Sequence, residues 1–127
     1  MSEPVFLSVE DVEDLHARQL QRFGGSAGLR DRAGFEAAVF QPQNVYFYAV
    51  GDLYELAAAY AFHISQAQAF LDGNKRTAAS AALAFLQLNG IPVAGGIDLL
   101  YDAMIGIAEK RVDRARLAAL FRQLFPQ

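Results

Sequence analysis

The chain contains no cysteine, which excludes disulfides and thiolate chemistry. Long apolar runs are also missing. Hydrophobic residues make up 54% of the chain, yet no stretch is long enough to span a bilayer, so no membrane partner is expected. The start, MSEPVFLSVEDVEDL, lacks the basic residues and unbroken apolar segment of a signal peptide. Together these absences point to a cytoplasmic protein. Positive charge is short too. Eleven lysines and arginines against 14 acids leave a net charge of −3. A general nucleic-acid binder is disfavoured, although a local basic patch could still hold a phosphate ligand. Neither G-x-x-x-x-G-K-[ST] nor G-x-G-x-x-G occurs, which excludes the common nucleotide folds. There is no low-complexity block and no internal repeat. What remains is 127 residues, enough for one domain spanning 1–127 with a real core.

The pattern is helical. In LSVEDVEDLHARQLQRFGG, Ser8 is a good N-cap and Asp11 completes a capping box. Val9, Val12, Leu15 and Leu20 share an inner stripe, and Gly24 and Gly25 end the helix. His16, in the same helix, reads as exposed or partly buried. A short helix is expected near Asp31–Val39. Pro42 then disfavours helix, and Val45–Val50 has the composition of a strand, so a small β-hairpin is expected at 44–50. Leu53, Leu56, Ala57, Tyr60, Ala61 and Ile64 mark a helix from about Asp52 to Gln66. A further helix over Asn74–Asn89 is apolar almost all round, as a central buried helix is. Two more fit Ile97–Glu109 and Asp113–Leu124. The fold class is all-α, with about six helices.

The chemistry concentrates in DGNKRT, residues 72–77. A glycine-bearing loop entering a helix presents unpaired N–H groups at the positive end of the helix dipole, which is an anion site. Lys75 and Arg76 add two cations and Asn74 an amide donor. Gly73 allows a left-handed backbone or close approach of a ligand. Asp72 offers the hard oxygen that Mg²⁺ takes beside phosphates, or serves as the helix cap. A D-G-N turn before a helix is common, and a K-R pair in a first turn is usually solvated. Against that reading, cations are repelled by a helix N-terminus, so their placement points to a polyanionic ligand.

FLDGNKRTA at 70–78 resembles the core of the Fic/Doc motif, H-P-F-x-[DE]-G-N-[GK]-R. FLSVEDVEDLHARQL, FGGSAGLRDRAGFEAAVFQPQ, DLYELAAAYAFHI and AALAFLQLNG resemble blocks of the Doc, or death-on-curing, branch in the same order. The resemblance implies a compact Fic-fold bundle from a toxin–antitoxin setting. It implies that Phe70 anchors the loop and Asp72 holds Mg²⁺ on the phosphates of ATP. Gly73 and Asn74 would line the anion loop, and Lys75 and Arg76 would clamp the phosphates. Glycine at position 75 accompanies AMP transfer in the family, and the lysine here accompanies phosphoryl transfer to a hydroxyl on a target protein, with the translation machinery as the implied target. Residues Val45–Val50 fall where the family has a flap that can hold a target strand. No glutamate is followed by Gly or Asn, so the family's own inhibitory helix signature is missing, and a separate antitoxin with a helix-forming tail is implied.

One position departs. Counting back from Phe70, the family's histidine falls on Gln68 and its proline on Ala69. That histidine is the general base, and a glutamine amide has no basic form near pH 7. His63 would substitute only if the chain bent back toward the loop. The expected function is a Doc-type phosphotransferase weakened at Gln68. The alternative is a pseudoenzyme that binds nucleotide or protein without catalysis.

Overall fold

Six helices follow from the capping and stripe signals, in a computed structural model that describes residues 3–49, 51–94 and 96–127, with the backbone alone over 96–99. In α1 (Val9–Phe23) the Ser8 hydroxyl accepts the Asp11 N–H and the Asp11 carboxylate accepts the Ser8 N–H, closing the capping box. Gly24, at φ 80°, ends the helix. Asp52 and Glu55 form a second capping box at the start of α3 (Leu53–Ala67). The other helices are α4 (Asn74–Leu88), α5 (Gly96–Ala108) and α6 (Arg114–Leu124), the last capped by Asp113.

The segment after α1 differs from expectation. α2 runs from Arg32 to Ala49 with Pro42 inside it, so residues 44–49 are helical and form no hairpin; Val50 lies outside the described residues. Phe35, Ala38, Val39 and Pro42 sit at i, i+3, i+4 and i+7, and all four are buried. A proline in a helix interior costs about 3 kcal/mol. Burial of this stripe, continued by Val45 and Tyr46 against the core, offsets it. Among the described residues there is no strand, only an isolated bridge between Leu29 and Phe70.

α3 and α4 form the centre of the bundle, and α2, α5 and α6 pack around them. Helices α3 and α4 pack on each other, and alanines 57, 58, 59 and 61 of α3 and alanines 78, 79, 81 and 82 of α4 are all fully or almost fully buried. Small residues let the two axes approach closely, while Tyr60 and Phe85 fill the space beside them with ring centroids 5.2 Å apart. Truncating Phe85 to alanine would cost about 3–5 kcal/mol. The Tyr60 hydroxyl accepts the Leu7 N–H at 2.8 Å, and burial raises its pKa above the ordinary phenol range. The N-terminal segment is held a second time by Asn89, whose side chain pairs with both the N–H and the carbonyl of Val5. This packing fixes the C-terminal end of α3 and the N-terminal end of α4 next to each other. The loop between them carries the site.

Candidate active site

The loop begins at Gln68, which ends α3 in a left-handed conformation (φ 45°, ψ 44°). Its backbone is laced to the α1–α2 connection. The N–H groups of Arg30 and Asp31 donate to the Ala69 carbonyl at 2.8 and 3.3 Å, and the Leu71 N–H donates to the Gly28 carbonyl at 3.0 Å. The Arg30 guanidinium also donates to the Gln68 carbonyl at 3.0 Å. Phe70 points inward, as its role of anchor requires. It is buried, stacks on His16 with centroids 3.6 Å apart, and meets the edge of Phe35.

One assignment from the sequence changes, and one residue gains a partner. The Asn74 amide is engaged within the loop. Its oxygen accepts the Phe70 N–H and its nitrogen donates to the Phe70 carbonyl, so it braces the loop. Asp72 does not cap α4, because Gly73 occupies the cap position at φ 81° with no side-chain cap bond. Instead the Asp72 carboxylate accepts the Ser26 N–H through Oδ2 at 2.8 Å, and its carbonyl accepts a hydrogen bond from His16 Nε2 at 2.8 Å. A carbonyl only accepts, so His16 carries its proton on Nε2.

The first turn of α4 leaves backbone donors open toward the loop. The Thr77 N–H donates to the Gly73 carbonyl, so the preceding N–H groups of Asn74, Lys75 and Arg76 lie ahead of the first intrahelical bond. Gln68, Asp72, Gly73, Asn74, Lys75 and Arg76 all line one cleft of about 460 Å³, within the range of small-molecule sites. The carbon at the centre of the Arg76 guanidinium lies 3.8 Å from the Phe23 ring centroid and 4.8 Å from that of Tyr101. Arg30, Phe23 and Tyr101 also line the cleft and were missed in the sequence. His16 was misread as exposed or partly buried, and it is 6% exposed. Its signal was present, since Val12, His16 and Leu20 follow one another at i, i+4 and i+8 along the inner face.

His63 does not line the cleft. Its Nε2 is buried without a partner, and burial, with help from Arg114, lowers its pKa from 6.5 to about 4. No group of three or more acidic or histidine side chains that could hold a metal occurs among the described residues. Asp72 is exposed, with one carboxylate oxygen committed to Ser26. That donor set fits Mg²⁺ shared with phosphates, since this ion takes one or two carboxylates and completes its shell with phosphate and water.

The loop, most of the helix it opens and the α1–α2 segment that braces it lie within residues 6–86, and over that span the chain matches a family model described as Fic/DOC family. The chain belongs to the Fic/DOC family. Among its Fic/DOC relatives is the protein named "Protein kinase doc" of Escherichia phage P1, 32% identical over 120 residues, which cover 94% of each chain. Another is "Toxin Doc" of Mycolicibacterium smegmatis, 35% identical over 113 residues, covering 86% of this chain and 87% of the relative. The family read from FLDGNKRTA is thus established.

Proposed function

We propose that this Fic/DOC chain is a Doc-type toxin that transfers the γ-phosphoryl group of ATP to a serine or threonine hydroxyl of a protein, slowly because Gln68 stands where the family has its histidine. The observation that carries this reading is the convergence of Lys75, Arg76, Asp72 and the open N-terminus of α4 on one cleft, with Gln68 on its wall. The names of two relatives, a protein kinase and a toxin, agree with it.

In this reading the α4 N–H groups, Lys75 and Arg76 hold the phosphates. Asp72 would hold Mg²⁺, which would neutralise charge developing on the phosphoryl oxygens. The acceptor hydroxyl lies beside Gln68. A bond forms from its oxygen to the γ-phosphorus, the bond from that phosphorus to the bridging oxygen of ADP breaks, and the hydroxyl proton passes to water. Gln68 orients the hydroxyl without taking the proton. Losing a general base costs about 10²–10⁴-fold. Phosphoryl transfer rests mainly on positioning and charge, so a residual rate is expected. In this reading the target belongs to the translation machinery, and an antitoxin whose tail folds as a helix on binding restrains the toxin.

Calorimetry with ATP and Mg²⁺, paired with transfer of labelled γ-phosphate to proteins of a lysate, tests this. Arg76→Ala should weaken ATP binding by about 1–3 kcal/mol. Equal affinity in wild type and Arg76→Ala would remove Arg76 from the site. One observation favours a second reading, a pseudoenzyme that binds without transfer: no histidine lines the cleft, because His63 is elsewhere and His16 is committed beneath the loop. Tight ATP binding with no labelled product would favour it.

A further inference from the structure

Arg76 is a cation in the first turn of a helix, where the dipole opposes it. No acidic side chain is within ion-pair distance of it among the described residues. Two aromatic rings take that place. Phe23 comes from the last turn of α1 and Tyr101 from α5, and both helices pack on α4. Phe23 is 43% exposed, so the core does not account for its position. Its contact with Arg76 at 3.8 Å is the closest cation–ring approach among the described residues. The ring faces carry the negative side of the aromatic quadrupole, which offsets the helix dipole at the guanidinium.

We propose that Phe23 and Tyr101 are positioning residues for Arg76. They hold its guanidinium by the face and leave the N–H groups in its plane to grip phosphate with two parallel hydrogen bonds. A planar guanidinium can be held this way and an ammonium cannot, so lysine is no substitute at position 76. The inference rests on the phosphate-binding reading of the cleft and adds to it the means by which its arginine is aimed.

Calorimetry of Mg²⁺·ATP binding to the full chain tests the proposal. Phe23→Leu and Tyr101→Leu should each weaken binding about threefold to tenfold, the range of a partly desolvated cation–π contact. Tyr101→Phe should bind like wild type. Arg76→Lys should bind as weakly as Arg76→Ala. In the Arg76→Ala background, Tyr101→Leu should have no further effect, which separates positioning from general damage. Wild-type affinity in both leucine variants overturns the proposal, and so does a loss from Tyr101→Leu that persists undiminished without Arg76. Phe23→Leu changes an exposed side chain and keeps the test open if Tyr101→Leu folds poorly. A wild-type chain that binds no Mg²⁺·ATP refutes the phosphate-binding reading itself, and the proposal falls with it. That result is distinct from binding that ignores the rings.

Discussion

Gln68 and the residues around it set what chemistry is available. If, as proposed, Gln68 stands where a base is needed and this is the main defect, Gln68→His should raise transfer of phosphate from ATP by about 10²-fold or more, read as labelled protein per unit time. A Gln68→His variant that binds ATP yet labels nothing would place the defect in the whole loop, including Ala67 and Ala69. His63 makes a separate expectation. Its folded pKa is about 4, below the ordinary 6.5, so the unfolded chain binds more protons between those values. Stability should therefore be lost as pH falls from 6.5 toward 4, by roughly 1–2 kcal/mol after allowance for solvent screening. His63→Phe should flatten that part of the profile in urea titrations at several pH values. An unchanged profile would assign the acid sensitivity elsewhere. At this scale the sequence disclosed residue types and their clustering at 72–76, but not their partners. The role of Asn74 depends on a bond to Phe70 four residues back, and that of His16 on a carbonyl 56 residues away. The first is a local loop contact that no helix periodicity signals, and tertiary folding alone supplies the second.

Among the elements, α1 and the loop before α4 are coupled through His16. It touches three parts of the loop: it stacks on Phe70, donates to the Asp72 carbonyl, and lies where a side chain on Gly73 would meet its ring at 3.5 Å. His16→Phe keeps the stacking and removes the donor. It should destabilise the fold by about 0.5–1.5 kcal/mol, the net worth of an ordinary hydrogen bond, because the bond is only part-buried. The Mg²⁺-dependent part of ATP affinity should fall more than the Mg²⁺-independent part, because the Asp72 backbone loses its tether. Equal losses in both parts would leave His16 a role in stability alone. Helix ends were legible where caps are local, as at Ser8, Asp52 and the glycine pair after α1. α2 was not, because the aromatic and β-branched run YFYAV carries strand propensity and Pro42 carries a stop signal. Both are weak local preferences, and the buried stripe from Phe35 onward overrides them.

For the molecule as a whole, binding at the cleft should register as stability. A ligand that binds only the folded chain adds about 2.7 kcal/mol at a concentration 100 times its Kd. Mg²⁺·ATP should raise the melting temperature in a concentration-dependent way in wild type, and much less in Arg76→Ala. Equal shifts in the two would mean the nucleotide binds elsewhere. The all-α class and the order of the six helices were readable because each is written in nearby residues. The cleft was readable only in its 72–76 portion, since its wall also draws on α1, the α1–α2 connection and α5.

That spread has a consequence for the moment at which the protein acquires its site. A ribosome delivers the chain from the N-terminus at about 5–20 residues per second. The N-terminal segment waits for its partners, because Leu7 pairs with Tyr60 and Val5 with Asn89. The loop can be braced once Arg30 and Ala69 have both emerged, but the cleft wall is not complete until Tyr101 and Ala108 follow. Residues through α5 must therefore leave the exit tunnel before the cleft has all of its walls. A nascent fragment ending before α5 carries the motif without its finished cleft, so the site is completed only after the motif itself has been made and the helices that support it have emerged.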